Sequence, residues 1–338
     1  MKQLRIQKKY WILLILNGVL VLSFCGWLLA YHLLAGRLLH EDMASVWAGE
    51  SDIRYSQVSC FLPVNSTLDE AAIATFRTKV EEKLLEASME AEDGKSLYVD
   101  AYSAETTLTL KNGSNSATVK ALGVGGDYFF FHSLYLQDGS YLTVWDLMQD
   151  RVVLDENTAW NLFGSFDVAG MQVTINNQPY LVAGVVSHNH DRSSQLAEAD
   201  SPAVVYVDYS VIAETSPITC YEIVMPDPIS EFAYTVVEES FPLGDHGQLL
   251  ENSTRFQVGR ITKLLFSYGK RLMIDDGVAY PTWENAARYT EARLCLVLLA
   301  TAFSAVIPLV SLVGVIVYWY KKLYRYIKQK IDDRRITA

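Results

Sequence analysis

Two apolar runs near the ends of the chain dominate its hydrophobic pattern. Residues 10–35 and 294–320 contain no Asp, Glu, Lys or Arg, and each run exceeds the roughly 20 residues that cross a bilayer core. We therefore predict transmembrane helices over residues 10–36 and 293–320. The first run is too long for a signal peptide and has no A-x-A cleavage site, so we expect it to remain as an anchor.

A strand-helix-strand pattern occurs twice in the roughly 250 residues between these runs. The predicted order is strand 55–63, helix 65–88, strand 96–102, then strand 218–226, helix 229–241 and strand 248–250. Ser66 or Thr67 would cap the first helix. Two β-α-β units predict an α+β fold, with residues 50–105 and 215–252 forming a ferredoxin-like, porter-type sheet that has its helices on one face.

Residues 106–210 form a β-rich insertion between the two units. Strand patterns at 108–110 and 117–122 flank the dipeptide Asn112-Gly113, which is a strong hairpin signal. A second hairpin is predicted at 171–184, where apolar and polar residues alternate on both sides of Asn176-Asn177. We interpret these hairpins as architecture rather than as a catalytic site.

Residues 254–292 predict stalk helices between the domain and the second membrane span. Ser253 or Thr254 can cap the first helix, and Pro281-Thr282 precedes a second helix that continues into the span. The first helix has an apolar face (Ile261, Leu264, Leu265, Tyr268 and Leu272) bordered by Arg255, Arg260, Lys263, Lys270 and Arg271. We favour a helix packed on the domain with solvated charges; contact with lipid head groups or with the acidic domain is the alternative.

Charge predicts the orientation. The tails at residues 1–9 and 321–338 carry +4 and +5, so residues 10–293 hold −20 of a whole-chain net charge of −11. Because basic residues stay on the cytoplasmic side, we expect both tails inside and residues 37–292 outside the cell membrane, a two-pass topology. An acidic domain of this kind stays soluble and gives no reason to expect nucleic acid as a partner.

Few residues suggest site chemistry. His188, His190 and Asp191 are weak metal-ligand candidates, but loop histidines are usually solvated, and we expect neither a metal nor another cofactor. The sequence contains no G-x-x-x-x-G-K-[ST] phosphate loop and no G-x-S-x-G nucleophile elbow. We therefore expect no enzyme activity, and any ATPase would be a separate subunit.

The four cysteines divide into two pairs. Cys25 and Cys295 fall in or beside the apolar runs, whereas Cys60 and Cys220 lie on predicted strands of the two β-α-β units. If those strands are neighbours outside the cell, a Cys60–Cys220 disulfide can form, and two buried thiols are the equal alternative.

Four ordered motifs carry a family resemblance. The segment Gly125–Phe129, the segment ending at Gly139, the block from Val152 to Val186 and the strand at 202–207 resemble the extracytoplasmic core domain of MacB-like, FtsX-related ABC transporter permeases. The resemblance implies structural roles for Gly126, Asp127, Tyr128, Phe129, Gly139, Leu162, Phe163, Gly164, Gly170, Gly184 and Val185.

The resemblance also implies a function, and this chain departs from the family pattern. The family's permeases have four membrane spans, whereas we predict two, so this chain resembles a shortened form of the family. Ser140 also stands at a position where an arginine is usual in the family. We expect a permease-like or accessory subunit of an ABC transport or mechanotransmission system, embedded in the bilayer, with an ABC ATPase or a multi-span permease as partner; a homodimer stays open. The alternative is a membrane-tethered binding or sensing module without an ATPase.

Overall fold

The structure is a computed structural model that describes residues 8–36, 38, 41–91, 95–146, 148–187, 192–198, 203–267, 274–275 and 277–336. The chain divides into two compact units, Met1–Arg37 with Glu291–Ala338, and Leu38–Thr290. The helices are α1 (Lys8–Ala35), α2 (Met43–Ala48), α3 (Glu70–Glu86), α4 (Tyr128–Phe131), α5 (Glu156–Phe163), α6 (Arg192–Glu198), α7 (Phe232–Ser240), α8 (Val258–Ser267) and α9 (Thr282–Ile336).

Twelve strands are present in the part of the chain that the structure describes. They are β1 (Tyr55–Phe61), β2 (Val99–Asn112), β3 (Asn115–Gly126), β4 (Tyr135–Gly139), β5 (Arg151–Asp155), β6 (Gln172–Ile175), β7 (Gln178–Ser187), β8 (Val204–Asp208), β9 (Cys220–Pro226), β10 (Gln248–Glu251), β11 (Ile274–Asp275) and β12 (Val278–Ala279).

The first unit holds the apolar helices. Among the described residues, two helical segments are long and apolar enough to cross a membrane, Trp11–Ala35 and Thr282–Lys328. They contact each other, because Asn17 Nδ2 donates a hydrogen bond to Ser311 Oγ at 3.2 Å. The second segment belongs to α9, which runs as one helix from Thr282 to Ile336 and contains Pro308.

The second unit contains the predicted ferredoxin-like sheet. Strands pair in the order β10-β1-β9-β2, all antiparallel, which is the arrangement that two β-α-β units produce. Helices α3 and α7 lie on one face and bury Ile73, Phe76 and Val236 in the main apolar core. The opposite face is covered by α2, α4, the β11–β12 hairpin and the start of α9, which contribute to two smaller clusters.

The cap of α3 differs from the prediction. Asp69 is the N-cap, and its Oδ1 accepts a hydrogen bond from the Ala72 N–H at 2.8 Å. Ser66 instead accepts from the Leu68 N–H, which closes a turn before the helix begins. A serine, a threonine and an aspartate within four residues offer several caps, and the prediction of Ser66 or Thr67 was wrong.

The insertion closes into a barrel. Strand pairing runs β2-β3-β8-β5-β7-β6, and β6 returns to β2 through the pairing of Leu110 with Ile175. Both predicted hairpins are confirmed. Gly113 (φ +58°) lies in the two-residue turn between paired Asn112 and Asn115, and Asn176 and Asn177 both have positive φ in the turn of the β6–β7 hairpin.

Candidate functional site

A buried ion cluster joins three segments of the Leu38–Thr290 unit. Arg255, in the turn before α8, donates from Nη1 and Nη2 to the two carboxylate oxygens of Glu284, at 2.6 and 2.8 Å. Its Nη1 also lies 3.2 Å from Oε2 of Glu41, which follows α1 in the chain. Arg288 donates from Nε to Glu284 at 2.7 Å. The side chains of Glu41, Arg255 and Glu284 are at most 3% exposed.

Hydrogen bonds extend this cluster to the centre of the ferredoxin-like sheet. Asn252 Nδ2 donates to Glu41 Oε2 at 3.0 Å. Ser59 Oγ on β1 lies 3.0 Å from both Asn252 Oδ1 and Glu222 Oε1, and its single proton can go to one of them at a time. We call the set from Glu222 through Ser59, Asn252, Glu41 and Arg255 to Glu284 the buried polar chain.

His132 lies at the sheet end of the buried polar chain. Its Nε2 is 2.5 Å from Glu222 Oε2, and both side chains are buried. The imidazole packs between aromatic rings, with centroid distances of 4.3 Å to Trp283 and 4.7 Å to Tyr128. Because Tyr128 begins α4 and Trp283 belongs to the first turn of α9, His132 connects a family-motif helix to the long α9 helix.

The arginines decide the ionisation of Glu284. Burial alone would raise the pKa of the Glu284 carboxyl, but the charge and hydrogen bonds of Arg255, followed by those of Arg288, outweigh burial and lower that pKa. Glu284 is therefore ionised at neutral pH. A buried ion pair of this kind need not raise stability, but removing one partner leaves an uncompensated charge.

Two family-motif glycines allow β4 and β7 to approach closely. Gly139 has φ +74°, and a Cβ there would lie 2.0 Å from the carbonyl oxygen of Ala183. A Cβ on Gly184 would lie 2.6 Å from the carbonyl oxygen of Ser140. Only glycine fits this crossing without backbone movement. The neighbouring Val185 is fully buried on β7.

The other motif residues also lie in turns and in the core. Gly126 has φ +64° and packs against the Asp100 carbonyl oxygen, next to Asp127. Gly164 ends α5 in the left-handed conformation, and Gly170 has φ +80° in the turn before β6. The remaining motif side chains are buried (Tyr128, Leu162) or half-buried (Phe129, Phe163). The structural roles of this set remain a prediction.

The metal-ligand candidates gain no support. His188, His190 and Asp191 lie outside the described residues. Among the residues that the structure does describe, no group of three or more His, Cys, Asp or Glu side chains could hold a metal ion.

The cysteine pair corrects one hypothesis. Cys60 and Cys220 lie on neighbouring strands, and both are buried free thiols. Cys60 pairs with Tyr221 and Cys220 pairs with Phe61, so the register places their side chains on opposite faces of the sheet. The disulfide hypothesis is therefore wrong for this register. Burial and then the Glu222 carboxylate raise the pKa of both thiols.

The first stalk helix also differs from its prediction. Helix α8 begins at Val258, so Arg255 precedes it and is buried in the ion cluster instead of being solvated. Ile261 is fully buried, whereas Phe266 is exposed. Tyr268, Lys270, Arg271 and Leu272 lie outside the described residues.

Sequence reasoning missed the buried polar chain. Glu222 interrupts the apolar strand 218–226, and an acid at the centre of a buried strand signals a buried partner. Glu41 and Glu284 gave no such signal, because each lies in a polar segment.

Comparison with known proteins identifies the domain. Residues 54–238 match the family model of the MacB-like periplasmic core domain. Over 87 residues, 25% of this chain, the sequence is 37% identical to the macrolide export ATP-binding/permease protein MacB of Salmonella paratyphi A and of Salmonella typhi. The match spans 13% of the length of each of these relatives.

Solved structures give weaker matches. The periplasmic region of MacB from Actinobacillus actinomycetemcomitans has a TM-score of 0.41 at 21% identity, over 60% of this chain and 91% of that one. The extracellular domain of the noncanonic ABC-type transporter YknZ from Gram-positive bacteria has a TM-score of 0.37 at 16% identity, over 57% and 99%. The family model covers more than half of the sequence, and the chain belongs to the MacB-like periplasmic core domain family.

Proposed function

We propose that this chain is a membrane-anchored permease-like or accessory subunit of an ABC transport or mechanotransmission system. Its domain would couple movement of the membrane helices to the outer side of the membrane. The buried polar chain carries this proposal, because it connects Glu41 after α1 and Glu284 in α9 to the sheet residues Ser59 and Glu222.

The physical argument rests on the cost of separating buried charges. Solvent-exposed ion pairs stretch easily, but Arg255 and Glu284 are each 1% exposed, and separating them would leave charges without water. Movement of α9 should therefore displace Arg255 and Glu41 together, instead of being absorbed by a loose contact. Packed interfaces respond to such displacements by switching between discrete arrangements.

The sequence supports the topology and the partners in this proposal. The basic tails support a topology with both tails in the cytoplasm and the acidic domain outside. Residues 1–338 contain no phosphate loop, which supports a separate ABC ATPase as the source of ATP hydrolysis, with a multi-span permease or a second copy of this chain as a further membrane subunit. The curated relatives are named as ATP-binding/permease proteins, which supports an association with ATPase activity.

Copurification tests this assignment. The tagged full-length protein would be extracted from native membranes in a mild detergent, and its partners quantified by mass spectrometry against an unrelated two-span membrane protein. We expect a P-loop ATPase and a multi-span subunit in stoichiometric amounts. Recovery of the protein alone, or only with itself, would contradict the proposal and favour a tethered binding or sensing module.

A further inference from the structure

Helix α9 continues past its apolar run into a short basic segment. The helix runs without interruption to Ile336, and the apolar run ends at Tyr320. Residues 294–331 contain no Asp or Glu, so the first acids after the run are Asp332 and Asp333. The cations that follow Tyr320 are all exposed, and we call them the basic segment (Lys321, Lys322, Arg325 and Lys328).

The lipid-facing part of α9 ends directly before the basic segment. Leu294 and Cys295, at the start of the apolar run, are buried, whereas Val317 and Trp319, near its end, are exposed. Trp and Tyr side chains at the end of a span lie at the level of the lipid head groups. Residues 318–320 read Tyr-Trp-Tyr, and we therefore take them as the boundary of the hydrocarbon core.

The rise of the helix places these cations in the head-group layer. This layer is about 5–7.5 Å thick on each side of the hydrocarbon core. Along the helix axis, Arg325 lies about 8 Å beyond Tyr320 and Lys328 about 12 Å beyond it. The flexible stem of Lys328 lets its ammonium group reach back toward the layer. Asp332 lies about 18 Å beyond Tyr320 and is therefore outside the layer.

The basic segment also has two different faces. One face carries cations at spacings of four and three residues (Lys321, Arg325 and Lys328). The opposite face carries exposed apolar side chains at every fourth residue (Trp319, Leu323 and Ile327). Lys322 Nζ lies 4.9 Å from the centre of the Trp319 ring. Within the described part of the chain, none of the four cations forms an ion pair. Their charges are therefore available to an external anion.

We propose that the basic segment binds the phosphate head groups of anionic phospholipids. A helix that leaves the hydrocarbon core must cross the head-group layer, which makes lipid the molecule that these cations meet. Each cation near the surface favours an anionic over a zwitterionic membrane by about fivefold. The apolar face with Leu323 and Ile327 contacts the acyl chains at the edge of the core. The site requires α9 to cross the membrane, but it does not depend on the proposed transport function.

Spin-labelled lipids test this site on the full-length protein. The protein would be reconstituted in phosphatidylcholine vesicles that contain a trace of spin-labelled phosphatidylglycerol or spin-labelled phosphatidylcholine. The motionally restricted fraction of each label in the electron paramagnetic resonance spectrum gives the relative association of the two lipids with the protein. Light scattering of the detergent-solubilised protein would record its oligomeric state in parallel.

Three variants separate charge from structure. The tail variant Lys321→Gln/Arg325→Gln/Lys328→Gln removes the basic face. The exchange variant Lys321→Arg/Arg325→Lys/Lys328→Arg keeps the three charges on different side chains. The control variant removes the same charge from exposed positions of the Leu38–Thr290 unit (Lys79→Gln/Lys111→Gln/Arg151→Gln).

We expect the wild type to prefer phosphatidylglycerol by about threefold or more, and the tail variant to lower this preference at least about twofold. The exchange and control variants should stay within about 1.5-fold of the wild type. Absence of a preference in the wild type, an equal loss in the control variant, or a loss in the exchange variant would each overturn the proposal. An unchanged preference in the tail variant would also overturn it and would assign the effect to other basic residues. A change of oligomeric state in place of lipid preference would identify a second copy of the chain as the occupant.

Discussion

Arg255 and Glu284 form a bidentate ion pair inside the domain, although they lie 29 residues apart and belong to different elements. Glu284 is in the first turn of α9, the helix that continues into the second apolar segment. Arg255 also contacts Glu41, which follows the apolar helix α1. A single guanidinium therefore connects the segment after α1 to the start of α9, and its substitution should affect stability and the proposed coupling together.

Replacing Arg255 by methionine should destabilise the domain strongly. The Arg255→Met variant keeps most of the side-chain volume but leaves Glu41 and Glu284 buried without their shared cation, at an expected cost of about 3–5 kcal/mol. Chemical unfolding of the full-length protein in detergent, followed by circular dichroism, measures this loss. The matched control is Arg151→Met, whose half-exposed guanidinium lies 3.4 Å from Asp146 and should contribute less than about 1 kcal/mol. Equal losses in the two variants would contradict the buried pairing.

The contribution of Glu284 should depend on pH. Its pKa is lowered in the folded protein, so the stabilisation is complete above the unfolded carboxyl pKa of about 4.3 and disappears as pH falls through the folded value. The stability difference between wild type and Glu284→Gln should therefore be largest near neutral pH and shrink in acid. Thermal unfolding at a series of pH values checks this; a difference that stays constant down to the acid unfolding of the wild type would argue against an ionised Glu284.

Two glycines with similar backbone angles should differ in their tolerance of alanine. Gly139 and Gly170 have φ of +74° and +80°, but only at Gly139 would a Cβ meet backbone atoms. Alanine in the left-handed region costs about 1–3 kcal/mol at either position. The collision with Ala183 should make Gly139→Ala less stable than Gly170→Ala by about 2 kcal/mol or more. Unfolding of both variants measures the difference, and equal stability would refute the close approach of β4 and β7.

The strand thiols should be free and unreactive in the folded protein. In a Cys25→Ser/Cys295→Ser background, a maleimide should label neither Cys60 nor Cys220 until the protein is denatured, because both thiols are buried and have raised pKa values. Mass spectrometry after denaturation without reductant should then find two labels on each chain. Labelling that requires reduction first would show a disulfide and contradict the register.

Local sequence patterns predicted the sheet well. The Asn-Gly dipeptide located the β2–β3 hairpin, and alternating residues located the β6–β7 hairpin, because side chains on a half-buried strand alternate between faces. The helical spacing of Phe76, Val80 and Leu84 located α3, since these side chains repeat on one face. The cap at Asp69 was missed because several neighbouring residues could accept the same hydrogen bond.

Long-range features could not be predicted in this way. Closure of the insertion depends on pairing between Leu110 and Ile175, which are far apart in sequence and carry no local signal of each other. The same limit applies to Arg255, whose position beside an amphipathic helix suggested a solvated charge. Its burial depends on two glutamates supplied by segments that precede and follow it by many residues.

Hydrogen–deuterium exchange on the purified complex tests the central claim that nucleotide-driven movement reaches the sheet through the buried polar chain. The native complex would be compared in nanodiscs with and without a non-hydrolysable ATP analogue, for the wild type and for Glu284→Gln. The account predicts that the analogue changes backbone exchange around Glu41, Arg255 and Glu222 in the wild type, and that Glu284→Gln removes the change at Glu222. Exchange that is unaffected by the analogue throughout the domain, or affected equally in both proteins, would contradict it.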